Sequence, residues 1–229
     1  MAPLPGSTSP DLPLAVSSSE SDSGSWQIRR SYSVPKRVID ILVVLVSAPI
    51  ALPLIALLAI LIRLDGESPF FRQERVGLGG RNFTFWKLRT MVSDADQRLE
   101  AILAASPVAR DEWNETQKLK SDPRITRLGR ILRRTSADEL PQLWNVLIGD
   151  MSLVGPRPML PQQRSIYPGR AYFALRPGIT GLWQISARNE CSFASRAHFD
   201  TRYANTMSLI VDISILIKTI GVVIHGTGW

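Results

Sequence analysis

The chain has 229 residues, a formal net charge of +7 at pH 7 and an isoelectric point near 10.1. Its length suits one core-bearing domain with appendages, and its charge favours polyanionic partners such as nucleic acid, anionic lipid or phosphorylated substrates, or else a solvated basic surface. A single cysteine, Cys191, excludes an internal disulfide, and two histidines are too few for a Cys/His zinc cluster, so any chemistry uses carboxylates, cations or an oxygen-bound metal.

The N-terminal segment is rich in serine and proline. Its first 25 residues contain eight serines, four prolines, three acidic residues and no lysine or arginine. Such a composition cannot bury enough apolar surface to offset the loss of chain entropy on folding. We therefore predict a disordered tail over residues 1–31.

An apolar segment follows the tail. From Ile41 to Ile62 there are 22 uncharged residues, which as a helix would cover roughly 33 Å, the thickness of a bilayer core. The segment starts too late and is too long for a cleaved signal peptide. Basic residues flank both of its ends, with Lys36 and Arg37 before it and Arg63 and Arg72 after it. Both flanks thus have the charge typical of the cytoplasmic side.

Two prolines, Pro49 and Pro53, lie inside this segment and each removes a backbone donor. A helix that breaks at Ala48-Pro49 and returns to the same face explains both the prolines and the flanking charge. We therefore predict a re-entrant helix hairpin over residues 32–64. The alternative is a kinked spanning helix, because spanning helices tolerate proline.

The region after the membrane segment is predicted to be a cytoplasmic domain, residues 65–229. Apolar residues at 70–71 and 83–86 predict two short strands around a glycine-rich turn at 77–82. Alternation along the second strand places Lys87 and Arg89 on one side of it. Residues 93–120 have helical composition.

A basic amphipathic helix is predicted from Asp122-Pro123 onward, with six Lys or Arg in the fifteen residues from Lys120 to Arg134. Its apolar residues share one face: Ile125, Leu128, Ile131 and Leu132. Nucleic acid could bind such a helix, but interleaved aromatic residues and a groove-reading module are absent from the sequence. The neighbouring membrane segment favours anionic lipid as the partner.

Two adjacent acidic residues, Asp138 and Glu139, follow this helix. Ser136 and Glu139 have the spacing of a capping box, which predicts a helix beginning at Ser136. In that helix Leu140, Leu143, Trp144 and Leu147 would be buried, whereas Asp138, Gln142 and Asn145 would face a ligand. The helix dipole would keep Asp138 ionised, as a nucleophile or magnesium ligand requires. The alternative is that both acids merely complement the dipole.

Two Gly-Pro motifs come next. Pro156 and Pro158 stiffen the backbone on either side of Arg157, which suits binding of an oxyanion such as phosphate. The second motif, residues 176–189, combines a turn, a tryptophan and two arginines, and could equally be a structural loop. Beyond it, residues 207–224 have apolar side chains at helical spacing, interrupted by Asp212 and Lys218. This pattern predicts an amphipathic helix at the membrane interface or on the core.

Five ordered motifs resemble those of the bacterial sugar transferase family, the monotopic phosphoglycosyl transferases that begin exopolysaccharide and O-antigen synthesis. They are Lys36-Arg37, Trp86 to Met91, Thr135 to Gln142, Gly149 to Pro158 and Arg176 to Gln184. The resemblance covers the chain from about Lys36 to its C-terminus. One departure is Ala137, where the family motif has leucine.

The resemblance implies a role for each matching residue. Asp138 would be the nucleophile that attacks the β-phosphorus of a UDP-sugar, releasing UMP, and polyprenyl phosphate would then accept the sugar phosphate. Glu139 would be the second catalytic acid, and both acids would hold Mg²⁺. Further residues would bind phosphate or substrate: Lys87, Arg89, Arg133, Arg157 and Asp200. Those assigned to the nucleotide are Arg176, Arg188 and Asn189.

The predicted fold is an α-rich α+β fold, with a re-entrant membrane helix hairpin joined to a small catalytic domain that has short strands and interfacial amphipathic helices. The predicted location is the bacterial inner membrane, with its lipid as a partner and the active site on the cytoplasmic face; nucleic acid is not an expected partner. Galactose or glucose is the expected sugar, and N-acetylhexosamine or diacetamido donors are alternatives. A non-catalytic, membrane-anchored basic scaffold is the competing class of function. The oligomeric state is open, with a homodimer as one option.

Overall fold

The computed structural model describes residues 30–64, 66, 68–116, 119, 121–186 and 193–224. Residues 1–29 of the predicted tail lie outside the described residues, and its last two positions, 30 and 31, are helical. Arg188 and Asn189 also lie outside the described residues. The described part is mostly helical, with one long apolar helix and a few short strands. The coarse fold class predicted from the sequence is therefore confirmed.

Helix α1 is the apolar N-terminal helix, Arg30–Leu64, with 35 residues. Pro35, Pro49 and Pro53 lie inside it, and the helix continues through Ala48-Pro49, where the sequence predicts a break; the re-entrant path stays a prediction. An interior proline removes one hydrogen bond and bends a helix, but it need not end it. Residues 32–64 are long and apolar enough to cross a membrane.

Both ends of α1 pack on the rest of the chain. Near its start, the Asp40 carboxylate accepts hydrogen bonds from Ser152 Oγ at 2.8 Å and from the Leu153 backbone N–H at 3.2 Å. Near its end, Ile62 is buried in an apolar cluster with Leu88 and Leu132. The long helix is thus fixed to the rest of the chain at two places, one before Pro49 and one after Pro53.

A β-hairpin follows α1, as the sequence predicts. Strands β1 (Phe70–Val76) and β2 (Asn82–Leu88) pair antiparallel, and a 3-10 turn, Leu78–Gly80, joins them. The register sets Gln73 opposite Phe85 and Arg75 opposite Phe83. Because directly paired residues point to the same face of a sheet, one face carries Gln73, Arg75, Phe83, Phe85 and Lys87.

Seven further helices and two short strands complete the described fold. In chain order they are α2 (Ala95–Ala105), α3 (Pro107–Thr116), α4 (Arg127–Thr135), α5 (Gln142–Ile148), β3 (Ser152–Val154), β4 (Gly178–Thr180), α6 (Leu182–Ser186), α7 (Arg196–Thr206) and α8 (Leu209–Ile224). Strands β3 and β4 pair in parallel. Further 3-10 segments are Ala137–Glu139, Pro161–Ile166 and Ala171–Ala174.

The basic helix begins later than predicted. Helix α4 starts at Arg127 because Thr126 caps it, its hydroxyl accepting a hydrogen bond from the Gly129 N–H at 2.8 Å. Ile125 lies outside the helix and forms an isolated bridge with Met91. Ile131 is exposed, so the apolar face that packs inward consists of Leu128 and Leu132.

The two Gly-Pro motifs meet at the parallel pair β3–β4. A Cβ on Gly155 would lie 2.3 Å from the Arg176 carbonyl oxygen, and one on Gly178 would lie 2.1 Å from the Gly155 nitrogen. Only glycine permits this backbone approach. Gly178 of the second motif therefore has a structural role, in strand β4 and not in a loop.

Candidate active site

Asp138 and Glu139 lie in the 3-10 turn Ala137–Glu139 between α4 and α5. The predicted capping box is wrong. Ser136 has a left-handed backbone, with φ of 56°, and forms the C-cap of α4, while its side chain makes no capping hydrogen bond. The chain therefore reverses within this turn, and the reversal directs Asp138 inward, where its side chain is only 8% exposed.

Lys87 bridges the two acids. Its Nζ lies 3.2 Å from Asp138 Oδ2 and 2.7 Å from Glu139 Oε1. Strand β2 presents this lysine to the turn, so the site joins two segments that lie about 50 positions apart in the chain. The sequence predicted both the lysine and the acid pair, but the contact between them could not be predicted from their spacing.

The charge of Asp138 depends on its cationic neighbours. Burial raises the pKa of Asp138 and Glu139 raises it further, whereas Lys87 and Arg133 lower it. Arg133, at the end of α4, donates from Nε to Thr90 Oγ1 at 2.9 Å. The sequence predicted that the helix dipole keeps Asp138 ionised. In the structure, the groups that favour its ionised form are instead two side-chain cations from different elements, Lys87 and Arg133.

Helix α5 follows the prediction in part, since Leu143 and Leu147 pack against the apolar core. However, its polar residues Gln142 and Asn145 are also buried, whereas Trp144 is 55% exposed. Asn145 hydrogen-bonds the hairpin: its Nδ2 donates to the Thr84 carbonyl at 2.7 Å, and its Oδ1 accepts from the Trp86 N–H at 3.2 Å. Buried polar groups need such partners, and here they tie α5 to β2 next to Lys87.

The remaining predicted site residues lie at several places. Arg157 is exposed, and its guanidinium carbon lies 5.6 Å from the centre of the Trp183 ring. Arg89 directly follows β2, where its backbone N–H donates to the Pro69 carbonyl. Arg176 donates from Nε to the Gly149 carbonyl at 2.9 Å and lines a cavity with Lys36, Arg37 and Asp40. Its predicted nucleotide role stays a prediction.

Asp200 lies in an aromatic cluster on α7. It is buried, and it accepts a hydrogen bond from the Tyr167 hydroxyl at 2.6 Å. Burial raises the pKa of Asp200 to about 7, and Tyr167 and Arg196 oppose this increase. The predicted contact of Asp200 with substrate stays a prediction, since the contacts described here are to other side chains.

Two arginines that the sequence analysis did not select, Arg75 and Arg196, lie close to Arg157. All three interact electrostatically, since the charges of Arg157 and Arg196 both act on Arg75. For Arg75 a signal was available, because the hairpin register places it on the same face as Lys87. For Arg196 the sequence pattern offered no comparable signal.

Comparisons with known proteins agree on one family. The model of the family described as bacterial sugar transferase matches residues 31–226. A UDP-galactose-lipid carrier transferase of Erwinia amylovora is 48% identical over 195 residues, which cover 84% of this chain and 41% of that protein. The exopolysaccharide production protein ExoY of Sinorhizobium fredii is 42% identical over 204 residues, 88% of this chain and 90% of ExoY.

A third relative is an undecaprenyl-phosphate galactose phosphotransferase of Salmonella typhimurium. It is 44% identical over 202 residues, which cover 87% of this chain and 42% of that protein. The chain therefore spans about two fifths of the Erwinia and Salmonella relatives but nine tenths of ExoY.

Proposed function

Because the chain belongs to the bacterial sugar transferase family, as its motifs predict, we propose that it transfers a hexose-1-phosphate from a UDP-sugar to polyprenyl phosphate and releases UMP. This would be the first membrane step of exopolysaccharide synthesis. The observation that carries the proposal is the buried Asp138 carboxylate, held with Glu139 against Lys87. The names of the Erwinia and Salmonella relatives specify galactose, which favours UDP-galactose over UDP-glucose as donor.

The reaction consists of two displacements at one phosphorus. In the first, an Asp138 oxygen forms a bond to the β-phosphorus of the UDP-sugar, the bond from that phosphorus to the oxygen bridging it to the α-phosphate breaks, and UMP leaves with the bridging oxygen. In the second, a phosphate oxygen of the lipid attacks the same phosphorus and the Asp138 carboxylate is released. A covalent intermediate spares the enzyme from binding the soluble and the lipid substrate together.

The surrounding cations favour this chemistry. Burial raises the pKa of Asp138 overall, and Lys87 and Arg133 oppose this increase, so the two cations favour the ionised, nucleophilic form. The charge that develops on the phosphate oxygens would be stabilised by the same groups, since fixed positive charges supply much of the rate in phosphoryl transfer. Glu139, whose side chain is 25% exposed, is open enough to meet the second substrate.

Asp138 and Glu139 are also the residues that would hold Mg²⁺. Their oxygens converge on one positive group, the Lys87 ammonium, so the pair has the carboxylate donors that Mg²⁺ prefers. No group of three or more His, Cys, Asp or Glu side chains that could hold a metal occurs among the described residues. Substrate phosphates would therefore supply further ligands, and the bound ion would neutralise their charge.

Exposed apolar surface supports the proposed membrane placement. Most of α1 is exposed although it is apolar, with 11% of its most apolar stretch buried. Exposed apolar side chains also occur on α4, α5 and α8: Ile131, Trp144, Ile148, Ile210, Ile213, Ile217 and Ile220. We place these surfaces in the inner membrane and its cytoplasmic interface, with α1 entering and leaving on the cytoplasmic side.

The proposal is tested by intact-mass spectrometry and UMP release in detergent. With a UDP-sugar and Mg²⁺ but without lipid, the protein should gain one sugar phosphate and release about one equivalent of UMP; added polyprenyl phosphate should remove the adduct and allow turnover. UDP-galactose, UDP-glucose, UDP-N-acetylgalactosamine and a UDP-diacetamido sugar are compared. Asp138→Asn should give neither adduct nor turnover, whereas the exposed Asp111→Asn control on α3 should behave like wild type. Lipid-dependent turnover without any adduct would exclude the covalent step.

A further inference from the structure

Two cations share the ring of Phe85 on one face of the hairpin. The Lys87 Nζ lies 5.7 Å and the Arg75 guanidinium carbon 5.3 Å from the ring centre. Phe85 itself is buried, so its position is fixed by packing. A cation over an aromatic face is attracted to it, and this contact holds both side chains in place. Arg75 therefore stands beside the lysine that contacts the catalytic acids.

Two more cations share the ring of Trp183. The guanidinium carbons of Arg157 and Arg196 lie 5.6 and 4.2 Å from its centre, and that of Arg196 lies 4.9 Å from the Phe193 ring as well. Arg75 links the pair on Phe85 to the pair on Trp183, because its Nη1 donates to the carbonyl of Pro158, the residue after Arg157, at 3.3 Å. Lys87, Arg75, Arg157 and Arg196 thus form a cation row that leads away from the two acids.

Arg75 makes no ion pair among the described residues, although Glu139 acts on it electrostatically. Lys87 is paired with Asp138 and Glu139, but the hydrogen bonds of Arg75 go to neutral oxygens, those of Pro158 and the Gln73 side chain. The Arg75 Nε is buried without a hydrogen-bond partner. Burial, together with the positive charges of Arg157 and Arg196, lowers the pKa of Arg75 to about 10, so the group is still a cation at neutral pH.

The guanidinium groups of Arg157 and Arg196 contact the same Trp183 ring and repel one another, and a bound anion would offset this repulsion. Arginine binds phosphate through paired hydrogen bonds, and a fixed guanidinium loses little entropy on binding. Resting on the proposed function, we propose that Arg75 and Arg196, together with Arg157, form a second phosphate subsite next to the acids. This subsite holds a substrate phosphate group other than the one under attack.

The reaction supplies two such groups, the α-phosphate of the UDP-sugar and the phosphate of the lipid. Both are anions of the same chemistry, and each must lie beside the phosphorus that Asp138 attacks or releases. We therefore expect Arg75, Arg157 and Arg196 to bind substrate and not to take part in breaking or forming bonds. They would also stabilise the negative charge on UMP as it leaves.

Binding is measured in the Asp138→Asn background, so that the result does not depend on catalysis. UDP and, separately, undecaprenyl phosphate in nanodiscs serve as probes, and Kd is compared after adding Arg75→Gln or Arg196→Gln. Each change should weaken one probe roughly tenfold or more, since it removes charge-assisted hydrogen bonds. A loss confined to UDP assigns the subsite to the nucleotide, and a loss confined to the lipid assigns it to the lipid phosphate.

Arg72→Gln is the matched control. Arg72 lies on the opposite face of the same hairpin, with its guanidinium carbon 5.3 Å from the Trp86 ring, so it shares the strand and the aromatic contact but not the site. Its change should leave both Kd values within about twofold. Arg75→Lys retains the charge and covers the case in which Arg75→Gln does not fold. Unchanged affinity for both probes in folded Arg196→Gln protein, or an equal loss in Arg72→Gln, would overturn the subsite.

Discussion

Asp138 and Asp200 are two aspartates with the same burial, each 6% exposed, but with different neighbours. Asp138 contacts the Lys87 ammonium, with Arg133 acting on it at longer range. Asp200 accepts its hydrogen bond from the neutral Tyr167 hydroxyl inside an aromatic cluster, and Arg196 is the cation that acts on it electrostatically. Burial alone therefore does not identify a catalytic acid, because the charge of the neighbouring groups decides whether the carboxylate can be ionised at low cost.

The largest expected effect is a difference in turnover between the Asp138→Asn and Asp200→Asn variants. Asp138→Asn should reduce lipid-dependent UMP release at least about a thousandfold, since it removes the proposed nucleophile. Asp200→Asn should reduce it by less than about tenfold, because asparagine can still accept the Tyr167 hydrogen bond. Turnover in detergent, with thermal unfolding as the control for folding, measures both. A thousandfold loss in a folded Asp200→Asn protein would instead place Asp200 among the reacting groups.

A smaller effect comes from removing the donor that each acid contacts. Lys87→Met should lower kcat roughly a hundredfold, because the pKa of Asp138 rises further when this cation is lost. The optimum of the kcat profile should then move to higher pH, with Lys87→Arg as the charge-retaining control. Tyr167→Phe should cost about 1–3 kcal/mol of stability and leave kcat within a few-fold. Equal effects of Lys87→Met and Tyr167→Phe on kcat would contradict the proposed difference between Asp138 and Asp200.

The smallest effect is a pH dependence of stability. In the folded protein the pKa of Asp200 is raised from 3.8 to about 7, so between these values the folded state binds a proton that the unfolded state has released. Stability from this group is therefore lost as the pH rises from about 4 to 7. The stability of Asp200→Asn does not depend on this titration. Relative to wild type, the variant should therefore become more stable as the pH rises from about 4 to 7.

This gain should level off above pH 7 and amount to at most about 4 kcal/mol, at about 1.4 kcal/mol per pKa unit. Unfolding temperatures measured at several pH values in the same detergent test it. A difference between the two proteins that stays constant from pH 4 to 8 would mean that Asp200 is already ionised in the fold.

The sequence predicted features that depend on residues close together in the chain. The apolar segment from Ile41 to Ile62, the hairpin around Gly77 and the acid pair Asp138-Glu139 each stand out by composition or spacing, and the family followed from five motifs in order. One error occurred where two local patterns compete: Ser136 has capping-box spacing, but it closes the helix before it.

The sequence by itself determined the identity of the acid pair, the apolar anchor and the family, because each is encoded within a short stretch of chain. Only the tertiary structure decided that Lys87 meets both acids, that Asn145 faces inward and that Arg75, Arg157 and Arg196 come together. These contacts join strands, turns and helices far apart in sequence. They depend on hairpin register and on packing between elements, which side-chain spacing within one element does not specify.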